Sequence, residues 1–505
     1  MLARVRSAVL QGIEAATVFV EVDVASGLPS FTTVGLPDSS VRESRDRVRA
    51  AIHNAGFEFP AERITVNLAP ADLRKDGTAF DLPMAVGILA ATGLVKPDLL
   101  ERAALLGELS LDGRVRPVRG VLPVALLCRR EGIPHLMVPG DNAREAAVVA
   151  GVDVIPVRSI HDTVEHLNGE RPLRAVEAPM PVSLEPGSED TDFAEVRGQA
   201  HAKRALEIAA AGGHNVLMLG PPGAGKTMLA QRLATILPPL SLDEAIEVSV
   251  VWSVAGLLTA ERGLVARRPF RAPHHTVSES GLVGGGSIPH PGEASLAHLG
   301  VLFLDELPEF SQRALESLRQ PLEDGVITVT RAAGSAAFPA RFQLVGAANP
   351  CRRGCRSVET CGCTPAERER YLGRLSEPLL ERIDLHVELT AVSYAELDTD
   401  APAESSAAIL RRVLAARARQ TARFAGTGVR VNARMSGRQA RHFCRVPPDA
   451  SRLLGRAVSQ LGLSARAYHR LLKVARTVAD LADRDAIAAE HVAEAIQYRD
   501  PDRSA

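Results

Sequence analysis

Two segments of the chain carry residues whose types and spacing suit the binding of a nucleoside triphosphate. Residues 220–227 read G-x-x-x-x-G-K-T between an apolar run and an amphipathic helical pattern. Such glycines let backbone N–H groups face a phosphate, Lys226 would contact the β and γ oxygens, and the Thr227 hydroxyl would reach Mg²⁺. We therefore predict a phosphate-binding loop formed by Gly220, Pro221, Pro222, Gly223, Ala224, Gly225, Lys226 and Thr227.

A second apolar run, in "LGVLFLDELPEF", ends in Asp305 and Glu306. Beside a phosphate loop, Asp305 would hold Mg²⁺ with its water shell, and Glu306 would orient and deprotonate the attacking water. The run "FQLVGAANP" ends in Asn349, whose amide could position that water against the γ-phosphate; alone it would be an ordinary turn asparagine. Together these strand ends predict hydrolysis rather than binding alone.

Four of the six cysteines lie in one short segment, "CRRGCRSVETCGC". Cys351, Cys355, Cys361 and Cys363 form a C-x₃-C-x₅-C-x-C pattern, which offers enough thiols for a tetrahedral Zn²⁺ site. The closing C-x-C is tighter than in common zinc fingers. Three interpretations therefore stay open: structural zinc, a metal-free loop and a redox sensor.

Length and composition limit the class of protein. The 505 residues are too many for one ordinary domain, and 46% hydrophobic with 24% charged residues exclude a wholly disordered chain. Charges interrupt every apolar stretch before it reaches the length of a membrane span, and Glu14 comes too early for a signal-peptide core. We expect a cytoplasmic protein with no membrane partner, a setting in which clustered cysteines more often bind metal than form disulfides.

The elements that must position these residues fall into three blocks. Strand and helix patterns alternate over residues 1–168, and residues 169–191 are rich in proline and acidic residues, as in a stiff linker. The α/β pattern resumes over residues 192–392, which contain the phosphate loop, and residues 393–505 are almost wholly helical. Within the α/β core, "GVITVTRAAGSAAFPARFQLVG" predicts a hairpin with its turn at residues 332–336.

These segments together resemble AAA+ ATPases, and within them the YifB/ComM family of magnesium-chelatase-like proteins. The likeness covers nearly the whole chain, in "GPPGAGKT", "RPFRAPHHTVSESGLVGGG", "PGEASLAHLGVLFLDELPEF", "LRQPLEDG", "RLSEPLLERIDLHVEL" and "LSARAYHRLLKVARTVADLA". It implies ATP and Mg²⁺ as ligands. It also implies a P-loop α/β core with a helix insert and a pre-sensor hairpin directed at nucleic acid, followed by an all-helical C-terminal lid.

The resemblance assigns roles to three polar residues. Asn349 would be the first sensor of the γ-phosphate, Arg382 the arginine finger inserted into a neighbour's site, and Arg466 the second sensor on the lid. Because a finger in trans requires an adjacent subunit, a ring-shaped homo-hexamer is implied. The alternative is that Arg382 forms a surface ion pair with the neighbouring Glu381 or Asp384.

The first domain resembles the proteolytic domain of Lon proteases, through "LRKDGTAFDLPMAVGI" and "GELSLDGRVRPVRGVLPVALLCRREGIPHLMVP". A serine–lysine dyad needs a nucleophile and a base, but Ala79 and Leu122 stand at the corresponding positions, and neither can attack a peptide. We expect a Lon-like fold without peptidase chemistry, used for assembly or for holding a substrate.

Two predictions concern single side chains. Lys75, next to the first Lon-like motif, is expected to be an exposed surface charge. His274 and His275 are tempting as metal ligands, but adjacent side chains in an extended loop should point apart, so we expect structural or hydrogen-bonding roles.

Residues 411–445 contain ten arginines and no Asp or Glu. Phosphate backbones attract such a surface without reading base sequence, and the alternative is a solvated helix in an arginine-rich chain. Aromatic residues for base stacking are few there, namely Phe424 and Phe443. We therefore expect sequence-tolerant binding of single-stranded or branched DNA.

The function that these expectations favour is a hexameric, ATP-driven DNA helicase or branch-migration factor in natural transformation or recombination. The alternative is a chelatase-type motor that remodels a protein partner for Mg²⁺ insertion into a porphyrin. Against it, a Lon-like first domain is foreign to such motors, and the sequence shows no metal-ion-adhesion domain. An ATP-dependent protease fails at Ala79 and Leu122.

Overall fold

The computed structural model describes residues 1–177, 191–286, 288–331, 334–355, 361–390 and 403–499. Most of the predicted linker, residues 332–333 of the predicted hairpin turn, the predicted domain boundary at 392/393 and residues 356–360 of the cysteine segment lie outside the described residues. Within the described ranges the fold is mixed α/β, as predicted. None of the helices in these ranges combines the length and apolar character that crossing a membrane requires.

The first domain is built on a sheet with two long antiparallel strands at its centre. Its strands are β1 (Leu2–Gln11), β2 (Glu14–Ala25), β3 (Ser30–Val34), β4 (Arg63–Ala69), β5 (Ala103–Leu105), β6 (Glu108–Leu109), β7 (Val115–Arg116), β8 (His135–Pro139) and β9 (Asp153–Val157). Seven of them form one sheet in the order β3-β4-β2-β1-β5-β8-β9. Val18, Val20 and Val22 of β2 are fully buried, since alternate residues of a strand face the same core.

Helices cover this sheet. They are α1 (Ser39–Asn54), α2 (Asp81–Ala91), α3 (Pro97–Leu100), α4 (Val121–Glu131), α5 (Ala143–Ala147) and α6 (Ile160–Asn168). The α1 helix begins where the Asp38 carboxylate accepts a hydrogen bond from the Val41 N–H, which satisfies one of its free N-terminal donors. The α2 helix is apolar on nearly all sides because it packs on β1 and β2 and is covered by α1 and α6.

The second sheet consists of five parallel strands in the order β11-β14-β17-β10-β18. Its strands and the adjoining short ones are β10 (Val216–Leu219), β11 (Phe270–Arg271), β12 (Gly284–Gly285), β13 (His290–Pro291), β14 (Val301–Leu304), β15 (Val326–Arg331), β16 (Gly334–Pro339), β17 (Gln343–Ala348) and β18 (Leu385–Glu388). The β15–β16 pair is the predicted hairpin, but the predicted turn at 332–336 is too long, because residues 334–336 already pair with β15 as part of β16. Because the β10, β14 and β17 strands are neighbours, the loops at their carboxyl ends meet at one edge of the sheet.

The helices of this core begin with α7 and end with the short α15. They are α7 (Ala200–Gly212), α8 (Lys226–Leu233), α9 (Leu242–Ala255), α10 (Glu279–Val283), α11 (Glu293–Leu296), α12 (Gln312–Ser317), α13 (Arg319–Asp324), α14 (Pro365–Leu372) and α15 (Glu377–Leu380). The α9 helix starts with a capping box in which Ser241 and Glu244 bond each other's backbone N–H groups. It lies between the first domain and the second sheet.

The C-terminal helices pack on α7 rather than forming a separate core. They are α16 (Ser406–Arg423), α17 (Gly437–Phe443), α18 (Pro448–Gln460), α19 (Ala465–Leu481) and α20 (Ala489–Gln497). Val413, Leu471 and Val478 share one buried apolar cluster with Leu206 and Val216 of the parallel-sheet unit. Burial of a continuous apolar surface therefore fixes these helices to the core.

The first domain contacts the core through α9 and through the β15–β16 hairpin. The Gly120 N–H donates to the Ser253 carbonyl at 3.0 Å, and the Ser253 hydroxyl donates to the buried Glu145 carboxylate at 2.5 Å. At the β1–β2 turn, Gly12 has a φ of +65°, and a Cβ there would lie 3.3 Å from the Ala336 Cβ. The small residues Gly12 and Ala336 permit this close approach.

Candidate nucleotide site

The phosphate loop connects β10 to α8, as the sequence predicts. Gly223 and Gly225 adopt φ values of +81° and +86°, which disfavour any other residue. A Cβ on Gly220 would lie 2.7 Å from the Leu389 carbonyl oxygen, so this glycine is needed where the loop passes β18. The loop thus leads into the N-terminus of α8, where free backbone N–H groups favour an anion.

Lys226 is held at the centre of this loop by three oxygens. Its Nζ donates to the Gly220 carbonyl at 2.6 Å, the Pro221 carbonyl at 2.9 Å and the Asn349 Oδ1 at 2.9 Å. Burial lowers the pKa of Lys226, while Asp305 and Glu306 oppose that effect. Phosphate oxygens could replace these neutral acceptors and would bring an anion into direct contact with the buried ammonium.

The two carboxylates follow β14 and reach the same edge of the sheet. The Thr227 hydroxyl donates to the Asp305 Oδ2 at 2.7 Å, which pairs the two side chains predicted to hold Mg²⁺. The Glu306 N–H donates to the Asp305 Oδ1 at 2.9 Å, and Glu306 has a left-handed backbone with φ +52°. Hydroxyl and carboxylate oxygens suit Mg²⁺, so this set fits the ion. The structure therefore brings together Lys226, Thr227, Asp305, Glu306 and Asn349.

His275 is a component of the site that the sequence analysis missed. Its Nδ1 lies 3.3 Å from the Glu306 Oε2. The prediction that His274 and His275 point apart is wrong, because their rings lie 4.1 Å apart. His274 instead pairs through Nδ1 with the Thr276 hydroxyl at 2.9 Å. The histidines follow β11, which lies next to β14 in the sheet, and Glu306 follows β14. The neighbouring strand ends bring His275 close to Glu306.

Arg382 and Arg466 each have an acidic neighbour in the structure. Arg382 is 6% exposed and pairs with Glu323 at 2.6 Å, while its Nε has no partner among the described residues. Arg466 is 67% exposed and lies 3.9 Å from Glu381. No contact joins either arginine to Lys226 within the described ranges. The alternative, a surface pair of Arg382 with Glu381 or Asp384, is not formed within the described ranges.

Asp384, named in that alternative, is buried. It lies 2.8 Å from Arg470 and 3.4 Å from the His214 Nδ1. Burial opposes its ionisation, but Arg470 and His214 hold the pKa of Asp384 well below its usual range. This charged cluster fixes the start of β18 beside β10.

The four clustered cysteines converge as a tetrahedral site would require. The Sγ atoms of Cys351, Cys355, Cys361 and Cys363 all lie within 4.8 Å of one another. The Cys361 and Cys351 sulfurs are 3.7 Å apart, and sulfurs bound to one zinc at ordinary Zn–S lengths would be about 3.8 Å apart. Burial opposes ionisation, but hydrogen bonds from the Cys355 backbone and the neighbouring thiols lower the pKa of Cys351 to about 7. All six cysteines are reduced.

The Lon-like positions of the first domain hold no nucleophile. Ala79 lines a cavity of about 710 Å³ between this domain and the core, and Leu122 is fully buried in α4. The prediction that Lys75 is exposed is wrong, because the side chain is fully buried and its ammonium donates to the Pro70 carbonyl. Burial lowers the pKa of Lys75.

The arginine-rich segment 411–445 is less available than its composition suggests. Six of its ten arginines have partners within the chain, namely Arg412, Arg417, Arg419, Arg423, Arg430 and Arg434. Exposed arginines without a partner in the described part of the chain are Arg411, Arg438, Arg441 and Arg445. Phe424 is 3% exposed and packs edge-on against Phe443, so it is not free to stack on a base.

Three family profiles match the chain in sequence. Residues 20–142 match "Subunit ChlI of Mg-chelatase", residues 192–397 match "Magnesium chelatase, subunit ChlI", and residues 403–499 match its C-terminal part. Competence protein ComM of Haemophilus influenzae is 46% identical over 503 residues, which cover 99% of this chain and 97% of that protein. Protein YifB of Escherichia coli is 44% identical over 493 residues, which cover 97% and 96%. The chain belongs to the YifB/ComM family of magnesium-chelatase-like proteins.

Membership of the YifB/ComM family agrees with the geometry of the nucleotide site. The ChlI-type domains of this family are AAA+ domains, which implies ATP and Mg²⁺ at the loop that holds Lys226 and Thr227. A partial similarity to proteases also exists. Lon protease of Azospirillum brasilense is 30% identical over 181 residues, which cover 33% of this chain and 22% of that protein.

Proposed function

We propose that this YifB/ComM family member hydrolyses ATP with Glu306 as the general base. The observation that supports this is the convergence of Lys226, Thr227, Asp305 and Asn349 beside Glu306 at one edge of the sheet. Lys226 and the loop would bind the phosphates, Thr227 and Asp305 would hold Mg²⁺, and Asn349 would orient the water. The ion supplies neutralisation of charge on the phosphates.

The Glu306→Gln variant tests this assignment. We expect it to bind ATP as the parent does, because the amide leaves Lys226, Thr227 and Asp305 in place, and to lose at least 10²-fold in turnover. Steady-state phosphate release and the affinity for a fluorescent ATP analogue measure the two effects separately. Glu309→Gln, a nearby glutamate that pairs with Arg374 outside the site, is the matched control. Turnover that survives in the Glu306 variant contradicts the role of Glu306.

We propose that ATP hydrolysis drives the movement of DNA by a homo-hexamer that acts as a helicase or branch-migration factor. The name of the Haemophilus relative, a competence protein, favours natural transformation, and recombination is equally compatible. The β15–β16 hairpin and the exposed Arg438, Arg441 and Arg445 offer contacts for a phosphate backbone. We expect the binding of DNA to be electrostatic and independent of base sequence.

A DNA-dependence assay tests the motor directly. Hydrolysis rates with no DNA, single-stranded DNA and forked DNA are compared, together with unwinding of the fork. We expect several-fold stimulation by DNA and ATP-dependent strand separation that Glu306→Gln abolishes. Stimulation and binding should fall steeply with salt, since phosphate contacts release counterions. If DNA does not change the rate of hydrolysis, the proposed DNA motor is wrong, while the proposed ATPase activity stands.

A chelatase-type role is the second candidate because all three matching profiles are described as ChlI of magnesium chelatase. Such a subunit would spend ATP on remodelling a protein partner for metal insertion. DNA would then not stimulate hydrolysis, and the same assay therefore separates the two functions.

We propose further that Cys351, Cys355, Cys361 and Cys363 bind a structural Zn²⁺. The four thiols and their separation support zinc over a redox pair, since a tetrahedral thiolate set suits this ion. The first domain, we propose, is a Lon-like fold without peptidase activity, because Ala79 and Leu122 supply neither nucleophile nor base. The proposed site of action is the cytoplasm.

A further inference from the structure

A second cavity, of about 330 Å³, lies at the amino ends of the parallel strands, opposite the nucleotide edge. Gly213 precedes β10, Gly300 precedes β14 and Gln343 begins β17, and all three line it. Residues 428–431 and Arg417 on α16 close the cavity from the side of the C-terminal helices. Its volume is near the lower end for small-ligand sites.

Five arginines converge on this cavity. They are Arg268, Arg341, Arg417, Arg430 and Arg434. The carboxylates in the lining are Glu244, Glu323 and Asp324. Glu323 already pairs with Arg382, and Glu244 accepts from both Arg268 at 2.9 Å and Arg430 at 3.1 Å. The lining therefore carries more positive than negative charge.

Among the described residues, two of these guanidinium groups form hydrogen bonds to backbone carbonyls and no ion pair. Arg417 donates from Nη2 to the Ala210 carbonyl at 2.7 Å. Arg434 donates to the Leu322 carbonyl at 3.1 Å and to the Phe342 carbonyl at 3.5 Å. Burial and the charge of Arg268 lower the pKa of Arg417 to about 9, and burial also lowers the pKa of Arg434. Half-buried cations without a counter-ion are unfavourable unless an anion joins them.

Arg341 adds an available donor at the base of the β15–β16 hairpin. Its side chain is exposed and has no ion pair or hydrogen bond within the described ranges. The Ala340 N–H donates to the Gly325 carbonyl at 2.8 Å, which closes the hairpin beside Arg341. An anion in the cavity would thus contact the hairpin base, the segment before β11 and the C-terminal helices at once.

We propose that this cavity is a phosphate-binding site, separate from the nucleotide site. Guanidinium groups from three parts of the chain surround a small polar space, and planar guanidinium donors match phosphate oxygens in pairs. The phosphate belongs either to a DNA backbone or to a small soluble anion, and the chemistry of recognition is the same. The site does not depend on the proposed motor function.

The test titrates inorganic pyrophosphate into the full chain saturated with the magnesium salt of a non-hydrolysable ATP analogue. The analogue fills the phosphate loop, including the γ-phosphate position, so calorimetry reports any second site. We expect one further site per chain, weakened at least tenfold by the Arg341→Ala/Arg430→Ala double substitution. Both side chains are largely exposed, and Arg341→Ala alone, which removes no ion pair or side-chain hydrogen bond within the described ranges, serves as the second variant. Arg411→Ala on α16, outside the cavity, is the control and should bind as the parent does.

Absence of a second pyrophosphate site overturns the proposal. The proposal also fails if the double variant binds pyrophosphate as the parent does, or if Arg411→Ala weakens binding equally. A single-stranded oligonucleotide added to the bound complex then identifies the source of the phosphate. Displacement of pyrophosphate assigns the site to a DNA backbone, and retention assigns it to a small anion.

Discussion

At the scale of single residues, the polar groups of the nucleotide site are hydrogen-bonded to one another, and phosphates and Mg²⁺ would replace these bonds. Lys226 is held by two carbonyls and the Asn349 amide oxygen, and Thr227 is held by Asp305. Each of these hydrogen bonds joins a group that would bind the phosphates or Mg²⁺ to another group of the site. Binding of ATP and Mg²⁺ would therefore exchange contacts within the site instead of exposing buried charge, which lowers the desolvation cost.

The contact between His275 and Glu306 predicts control of the general base. A carboxylate that lies 3.3 Å from a histidine ring nitrogen is less free to accept a proton from water. We expect His275→Ala to raise basal hydrolysis several-fold without DNA and to leave the KM for ATP unchanged, since no contact links His275 to the phosphate loop in the described ranges. Steady-state kinetics measure both parameters.

The control for this prediction is the neighbouring histidine. His274 bonds Thr276 and not Glu306, so His274→Ala should keep the parental rate. A rate that falls in the His275 variant, with unchanged KM, would mean that His275 orients Glu306 for catalysis. It would contradict the restraining role.

At the scale of elements, the cysteine segment lies between the end of β17 and α14, and it begins two residues after Asn349. We expect one zinc per chain under reducing conditions. Cys363→Ser should weaken zinc binding at least tenfold and lower the unfolding temperature, because a structural zinc contributes directly to folding. Metal analysis after dialysis against a weak chelator measures the stoichiometry.

Cys444→Ala distinguishes metal loss from general destabilisation. Cys444 is a buried thiol of the C-terminal helices, remote in sequence from the cluster, so this variant also loses packing but should retain its zinc. A parent protein that contains no zinc would leave the metal-free loop as the correct interpretation.

The junction between α5 and α9 predicts a pH dependence. Glu145 is 5% exposed and accepts hydrogen bonds from Ser253 at 2.5 Å and Asn142 at 2.6 Å. Burial raises the pKa of Glu145, although these bonds oppose the shift. A raised folded-state pKa stabilises the fold below the ordinary glutamate value of 4.5, and that contribution is lost as pH rises through the folded value.

We therefore expect Glu145→Gln to unfold at a higher temperature than the parent near pH 8, with the difference shrinking toward pH 4.5. The amide can keep partners in Ser253 and Asn142 but carries no buried charge. Ser253→Ala, which removes a donor from the carboxylate, should instead destabilise the protein by about 1.5–3 kcal/mol. Thermal unfolding across this pH range measures both, and a difference that grows toward low pH would contradict the assignment.

Local motifs made the nucleotide edge predictable because each polar residue directly follows an apolar strand, and parallel strands bring such ends together. Charge counting failed in the segment 411–445 because partners lie far away in sequence, as Glu207 lies 205 residues from Arg412. The burial of Lys75 was hidden for a similar reason, since a backbone carbonyl supplied by a turn leaves no mark in composition. Contacts with residues distant in sequence, rather than the local pattern, decide whether these charged side chains are exposed.

At the scale of the whole molecule, the nucleotide core is bound on two sides. The first domain contacts α9 and the β15–β16 hairpin, and the C-terminal helices share an apolar cluster with α7. Arg382 has its only ion pair in the described residues with Glu323, one residue from the end of α13. For Arg382 to act on a neighbour's phosphate, that pair must break, so assembly of the ring and exposure of the finger are expected to be coupled.

Mixing two inactive variants tests whether Arg382 acts in trans. Arg382→Ala keeps a complete phosphate loop but lacks the finger, and its turnover should fall by about 10³ or more. Lys226→Ala lacks the loop lysine but retains the finger. In a randomly mixed ring, about a quarter of the interfaces would place an intact loop beside an intact finger, so mixing should restore hydrolysis well above either variant alone.

The same mixture with Arg382→Ala/Glu306→Gln in place of Arg382→Ala should stay inactive, because the loop facing the finger then lacks its base. Recovery that is absent when mass photometry shows mixed rings would mean that Arg382 serves its own subunit, and its pairing with Glu323 would be structural.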